Sequence, residues 1–230
     1  MWWFDPLYIF MMIPVFIISI IAQMWVKNAY AKYSRIPNRN KITGAEAAQI
    51  IARRMGLQIN VELTSGLLSD HYDPRTRTLR LSPHVYNGYS IAAVGIAAHE
   101  AGHAIQHAYG YAPLQLRSAL VPVTMLGSNL AWPLIFVGFI FHWLSLIKLG
   151  ILFFTAVVVF QLITLPVEFN ASQRALKVLH DTNILTKREL SGAREVLTAA
   201  ALTYVAAATA AILQLLYFLI RAGLIGGREE

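Results

Sequence analysis

The sequence predicts a mainly α-helical, polytopic membrane protein with about four spans and a small α+β part in the cytoplasm. Three observations lead to this fold class. The chain is 57% hydrophobic and only 13% charged, whereas soluble domains carry roughly 25% charged residues. It contains four long apolar runs that are almost free of charge. Between the first two runs lies a polar stretch whose hydrophobic residues recur with the periods of helix and of strand.

The apolar runs have the length that crosses a bilayer, since about 20 apolar residues span its hydrocarbon core. The first run is interpreted as a retained span and not a signal peptide, because no basic segment precedes it and no small-residue cleavage site follows it. The predicted spans are residues 7–26, 119–141, 151–167 and 199–220. The expected organisation is a first span in 1–26, a cytoplasmic region in 27–118, a hairpin of two spans in 119–167, cytoplasmic helices in 168–198, and a fourth span with a tail in 199–230.

The positions of lysine and arginine predict which segments face the cytoplasm. The net charge is +7. One basic cluster follows the first span and consists of Lys27, Lys32, Arg35, Arg39 and Lys41. A second lies between the third and fourth spans and consists of Arg174, Lys177, Lys187, Arg188 and Arg194. Because basic loops stay in the cytoplasm, 27–118 and 168–198 are expected inside and both termini outside. The same charges predict contact with anionic lipids. Nucleic acid is excluded as a partner because no stacking platform or nucleic-acid motif accompanies them.

Within the polar stretch, residues 42–56 are predicted to form a helix, because Thr43 and Glu46 make a capping box and Gly56 is a stop signal. Residues 59–82 are predicted to form a β-hairpin that turns at an Asp-Pro pair.

Helices are also predicted after the hairpin. One runs from about residue 89 to residue 108. Residues 168–180 should continue the third span as a helix, and 186–198 should form a short helix capped by Thr186 and Glu189.

The helix at 89–108 contains His99-Glu100-Ala101-Gly102-His103, an HExxH pattern. Residues four apart lie on one face of a helix, one turn apart, so both imidazoles can reach a single tetrahedral Zn²⁺. Glu100 projects about 100° away from His99. It is therefore predicted to be the catalytic base that takes a proton from a zinc-bound water, without being a ligand. The small residues Ala101 and Gly102 leave room for a neighbouring helix.

His107 continues the same helix face but cannot share a zinc ion with His99, because it lies about 12 Å further along a straight helix. The metzincin pattern would need a histidine where this chain has Tyr109, so that class is excluded. His107 is expected to support the site or the fold and not to bind the metal.

A third metal ligand must come from another part of the chain. Glu168 is the best candidate, because the predicted topology brings it to the cytoplasmic end of the third span, on the same side as His99 and His103. His71 in the predicted hairpin is the alternative ligand, but a place as a surface histidine of the hairpin is favoured for it over binding the metal.

Four segments of the chain resemble, in the same order, the bacterial YugP-type neutral zinc metallopeptidases, an integral-membrane family. The segments are LSDHYDPRTRTLRLS, SIAAVGIAAHEAGHAIQHAYGYAPLQLRSALVPV, LPVEFNASQRAL and AALTYVAAA. The resemblance covers most of the chain from residue 42 onward. The arrangement is also similar to that of the HtpX and Ste24 membrane proteases, in which a cytoplasm-facing HExxH and a later glutamate ligand flank two spans.

This resemblance implies that the cytoplasmic part is gluzincin-like, that His99, His103 and Glu168 bind one Zn²⁺ per chain, and that Glu100 is the catalytic base. The HtpX and Ste24 proteases have an aspartate four residues after the glutamate ligand, where this chain has Ser172. Members of the YugP-type family often have an aspartate where this chain has Asn170. The groups that surround the ligands must therefore differ here because of Ser172, and at Asn170 a polar group is wanted and not a charge.

The expected function is that of a zinc-dependent endopeptidase of the bacterial cell membrane, which cleaves protein or peptide substrates at the cytoplasmic surface. The strand at 77–81 is expected to offer a sheet edge near the zinc to an extended substrate. Membrane-protein partners or a homo-oligomer stay open.

Two other functions compete with this expectation. A site-2-type intramembrane protease would need an aspartate ligand on a later span, and residues 119–167 and 199–220 contain none. A non-catalytic, zinc-stabilised membrane scaffold would have no use for Glu100.

Overall fold

The computed structural model describes residues 5–66 and 69–226. In these residues the chain forms, in order, α1 (Pro6–Tyr33), α2 (Gly44–Arg54), β1 (Asn60–Leu63), β2 (His71–Asp73), β3 (Thr78–Leu81), α3 (Pro83–Tyr86), α4 (Ile91–Ala108), α5 (Ala112–Ile140), α6 (Leu144–Asp181) and α7 (Lys187–Arg221). The expected mainly helical class is confirmed.

Four helices are long and apolar enough to cross a membrane, namely α1, α5, α6 and α7. They contain the four predicted spans to within one residue, so the predicted number of spans is confirmed for the part of the chain that the structure describes. Residues 168–180 continue the third span inside α6, as expected.

The prediction of a separate short helix at 186–198 is wrong, because this segment and the fourth span form the single helix α7. The expected capping box is present at its start. The Thr186 hydroxyl accepts from the backbone N–H of Glu189, and the Glu189 carboxylate accepts from the backbone N–H of Thr186 at 2.8 Å. No proline interrupts the chain from there to Arg221, so nothing removes a helical hydrogen bond where the polar part meets the apolar part.

The expected hairpin is present but belongs to a three-stranded sheet with the order β1-β3-β2. β2 and β3 are antiparallel and form the hairpin, while β1 lies parallel to β3 on its other side. Because β3 is the central strand, the prediction that residues 77–81 offer a free sheet edge is wrong. Leu79 and Leu81 of β3 are fully buried.

Contacts among the described residues divide the chain into two compact units. Unit 1 contains the residues up to Ile21, Leu116–Leu165 and those from Thr203 onward. Its core is aromatic and aliphatic. The rings of Phe154 and Phe218 pack edge to face, with their centres 5.4 Å apart. Asp5 links the ends of this unit through Arg221 at 3.1 Å and the hydroxyl of Tyr217 at 3.0 Å.

Unit 2 contains Ala22–Gln115 and Pro166–Leu202, and α4 forms part of its core. The buried alanines of α4, among them Ala97, Ala98 and Ala101, pack with Ile51 of α2 and Leu179 of α6. Small side chains at the centre of a core allow neighbouring helices to approach closely. The predicted helix at 42–56 is confirmed as α2, with its capping box at Thr43 and Glu46.

Candidate metal centre

The candidate metal centre lies within unit 2, where α4 passes α6. At Gly102 the two backbones are so close that an added Cβ would overlap the carbonyl oxygen of Ala171. Glu168 precedes Ala171 by three residues and Ser172 follows it, so the crossing brings both side chains to the histidines of α4. The sequence expectation that Gly102 makes room for a neighbouring helix is confirmed.

The crossing brings His99, His103 and Glu168 into one cluster, and their ligating atoms lie within 4.8 Å of one another. Oε2 of Glu168 is 3.2 Å from Nε2 of His99 and 3.7 Å from Nε2 of His103. Ligands held at 2.0–2.2 Å from a tetrahedral zinc ion are about 3.3–3.6 Å apart. The donor set and its spacing therefore fit a zinc ion. Glu168 is 2% exposed and His103 is 9% exposed, so water competes little for these atoms.

The orientation of His103 is set by Gln106, a residue that the sequence analysis missed. The Gln106 side chain is fully buried, and its Nε2 donates to the carbonyl oxygen of Val167 at 2.8 Å. A carbonyl can only accept, so this bond turns the Oε1 of Gln106 towards His103 Nδ1, which lies 3.0 Å away. Nδ1 must then carry the proton, and the lone pair of Nε2 points to the cluster.

His99 is oriented by Ser172, whose Oγ lies 3.0 Å from Nδ1 of His99. This serine is the residue for which the sequence analysis noted a difference from the HtpX and Ste24 proteases, and here its hydroxyl is the hydrogen-bond partner of His99. Nε2 of His99 is thereby left for the cluster. Partners of this kind hold a metal-binding imidazole in one ring orientation.

The electrostatics of the cluster favour a positive charge at its centre. Burial lowers the pKa of His103, but the carboxylates of Glu168 and Glu100 outweigh this effect, and the pKa of His103 is raised above its ordinary value. With Nδ1 donating to Gln106, Nε2 of neutral His103 and the Glu168 carboxylate are two acceptors that face each other at 3.7 Å. This distance is too long for a hydrogen bond, and a cation between the two atoms removes the repulsion.

Glu100 is half-buried on α4 beside the two histidines. Its carboxylate makes no hydrogen bond or ion pair with any residue that the structure describes. An acceptor without a protein partner beside a metal cluster is available to a water molecule. This is the arrangement that a general base requires.

The other histidines named by the sequence analysis lie outside the cluster of ligating atoms. His71 is exposed on β2, and its Nδ1 donates to the carbonyl oxygen of Ser69 at 2.7 Å. His107 packs against the sheet, where its Nδ1 lies 2.9 Å from the hydroxyl of Tyr72. Both positions agree with supporting or surface roles.

Asn170, which the sequence analysis expected near the ligands, joins Gln106 to Arg174. Its Oδ1 accepts from Nε2 of Gln106 at 3.1 Å and from Nε of Arg174 at 2.6 Å. A signal for Gln106 was present in the sequence. It lies three residues after His103, which places it on the same helix face, and it is polar among alanines.

Two comparisons relate the chain to known peptidases. The family model described as "Putative neutral zinc metallopeptidase" matches residues 8–223. The chain belongs to this family. It is 46% identical over 226 residues to the "Putative membrane protease YugP" of Bacillus subtilis (strain 168), which covers 97% of this chain and 99% of the relative. No solved structure matches the chain significantly.

The predicted resemblance to the YugP-type neutral zinc metallopeptidases is thus confirmed. The family description implies zinc, and the two imidazole nitrogens and one carboxylate oxygen of the cluster are ligands that zinc accepts. The apolar helices agree with the relative's name as a membrane protease.

Proposed function

We propose that the protein is a membrane-embedded zinc endopeptidase that hydrolyses peptide bonds of protein substrates at the cytoplasmic membrane surface. The observation that carries the proposal is the cluster of His99, His103 and Glu168 with the unpartnered carboxylate of Glu100 beside it. A pair of histidines on one helix and a glutamate on a later helix is similar to the ligand set of gluzincins.

The number of ligands favours catalysis over a purely structural role for the metal. Among the residues that the structure describes, the cluster has three ligating side chains. Structural zinc sites usually have four protein ligands, whereas catalytic sites have three and keep one position for water or substrate. The non-catalytic scaffold that competes with this function would also leave Glu100 without a purpose.

Each side chain then has a defined task. When bound, zinc would polarise the scissile carbonyl group and make an attacking water more acidic. Glu100 accepts the proton of that water and passes it to the nitrogen of the leaving amine. Gln106 and Ser172 bind the Nδ1 atoms of the two imidazoles, so both Nε2 atoms face Glu168, where the metal would bind. The His99 side chain is 16% exposed against 3% for Glu168, so a substrate would approach from the side of His99.

The basic residues support a cytoplasmic location of the site. Most lysines and arginines of the chain belong to unit 2, the unit that contains the cluster. Because basic segments stay in the cytoplasm, the site would face the cytoplasm and both termini would lie outside. Protein segments close to the membrane surface are the proposed substrates, and anionic lipids are the proposed neighbours of the basic residues.

The exchange of Glu100 for glutamine tests the proposal. Glu100→Gln should retain zinc at the wild-type level, because the residue is not a ligand, while casein cleavage in detergent falls by about 10²–10⁴. Glu62→Gln is the matched control, since this exposed glutamate lies on β1 away from the cluster. Zinc content and turnover are measured on the same preparations. Activity of Glu100→Gln within tenfold of wild type would contradict the role of Glu100, and a zinc-loaded wild-type protein that cleaves no peptide would contradict the function.

A further inference from the structure

A second group of polar side chains lines a cavity of about 310 Å³ in unit 2. The lining comes from the end of α2, the end of α4 and the polar part of α6, with Arg54, Arg174, Lys177, Tyr109 and Asp181 among its residues. Cavities from about 300 Å³ upward can hold small ligands. None of these residues belongs to the metal cluster.

Arg174 is held in a fixed position at this cavity. Its Nε donates to Oδ1 of Asn170 at 2.6 Å, and its guanidinium carbon lies 5.7 Å from the ring centre of Tyr111 and 6.0 Å from that of Tyr109. The terminal nitrogens of Arg174 make no hydrogen bond or ion pair with any residue that the structure describes. The orientation of the Arg174 guanidinium is therefore fixed, and its two terminal nitrogens can donate hydrogen bonds to a ligand.

The charges around the cavity favour an anion. Arg54 and Lys177 also lack hydrogen-bond and ion-pair partners among the described residues. The one acidic side chain of the lining, Asp181, lies 3.3 Å from the imidazole of His180. Three cations against one carboxylate leave a positive cavity. A guanidinium edge with two further basic groups suits a phosphate, which accepts two parallel hydrogen bonds from arginine.

We propose that Arg54, Arg174 and Lys177 form a binding site for a phosphate group, which is supplied by the headgroup of an anionic phospholipid. The lipid source follows from the position along α6. Arg174 comes seven residues after the predicted end of the third span, about 10 Å along a helix. Long basic side chains reach from such a position to the level of the lipid phosphates. The tyrosines that hold Arg174 are residues typical of membrane interfaces. This site does not depend on the proposed peptidase activity.

The test uses the full chain in a neutral detergent. Phosphatidylglycerol adducts are counted by native mass spectrometry, and thermal unfolding is followed with inorganic phosphate against chloride at equal ionic strength. Bound ligand raises the unfolding temperature in a concentration-dependent way. The double variant Arg54→Gln/Lys177→Gln should weaken lipid binding by at least about tenfold, because two charge-assisted contacts are lost.

Two further variants separate a defined site from general attraction between charges. Arg53→Gln/Lys187→Gln removes the same charge at exposed positions outside the cavity lining, and should bind lipid like wild type. Asp181→Asn removes the opposing carboxylate and should strengthen binding, a gain that misfolding cannot produce.

The outcomes distinguish the sources of the phosphate. Lipid adducts that follow this variant pattern support the phospholipid headgroup. The same pattern with inorganic phosphate, without lipid adducts, assigns the site to a soluble phosphate compound. Equal losses in both double variants, or no binding of either ligand to wild type, would overturn the site.

Discussion

Single residues around His103 determine the orientation of its imidazole ring. The Gln106 amide donates to a backbone carbonyl on one side and accepts from His103 on the other, so one hydrogen-bond acceptor of α6 sets the proton position on His103 of α4. Neither the amide nor the imidazole can turn without leaving a buried polar atom unpaired, which costs about 1–3 kcal/mol.

Gln106→Leu should therefore weaken zinc binding by about 10–100-fold, the usual cost of removing a group that orients a metal-binding imidazole. Zinc affinity is measured by competition with a chromophoric chelator, so the result does not depend on peptidase activity. Gln173→Leu makes the same exchange at an exposed position of α6 and should leave the affinity unchanged. If the two variants bind zinc equally well, Gln106 has no part in orienting His103.

Glu168→Ala should lose nearly all zinc, because two histidines and water do not hold the ion tightly. Glu168→Gln should be almost as damaging, since a neutral amide is a poorer ligand and the site loses a negative charge. His71→Ala and His107→Ala should keep most of the metal, because both histidines have partners outside the cluster. Zinc per chain is determined after purification and mild chelation. A Glu168→Ala protein with full zinc beside a zinc-free His71→Ala protein would move the third ligand to the hairpin.

At the level of elements, the centre depends on the close contact between α4 and α6. Gly102 faces the backbone of Ala171 without a side chain between them, and the ligands on both helices lie within about one turn of this contact. The separation of α4 and α6 thus sets the distance from the two imidazoles on α4 to the Glu168 carboxylate on α6.

Gly102→Ala should push the helices apart, lower the free energy of unfolding by about 1–3 kcal/mol and reduce zinc affinity together with it. Gly95→Ala is a matched control on the same helix, because its added Cβ would lie 3.3 Å from Cβ and 3.6 Å from Cα of Ala193, without the overlap that Gly102 shows. Thermal unfolding and chelator competition are measured for both. Equal zinc affinity in the two variants would show that the ligand spacing tolerates a wider helix contact.

At the scale of the whole molecule, the basic residues are distributed very unevenly. Outside unit 2, the chain has only Arg117, Lys148, Arg221 and Arg228 as lysines or arginines. This asymmetry is the basis for the proposed orientation in the membrane.

Reporter fusions measure this orientation directly. Fusions after Arg39 and after Lys187 should report a cytoplasmic location, and a fusion at Gly226 should report an external one. An external reporter at Lys187 would place the segments that carry Glu168 and His103 on opposite sides of the membrane and contradict the proposed site.

Composition and short-range pattern were enough to predict several features of this protein. Hydrophobic runs of the length of a bilayer identified the four apolar helices, because the cost of burying charge in lipid depends on the residues alone. The spacing of His99 and His103 was enough to bring two imidazoles to one face, since helix geometry is the same in every context. The capping boxes at Thr43 and Thr186 marked helix starts for the same local reason.

Other features depend on contacts between distant segments, and these became visible in the tertiary structure. It made β3 a central strand, because β1 pairs with it in parallel although β2 lies between them in the chain, a pairing that the local pattern does not reveal. It joined the polar helix to the last span in α7, since no local signal ended the helix. It selected Glu168 and not His71 for the cluster, and it recruited Gln106 through the carbonyl of Val167, 61 residues away. Pairing partners of this kind are set by the packing of α4 on α6, and a single sequence carries no direct record of that packing.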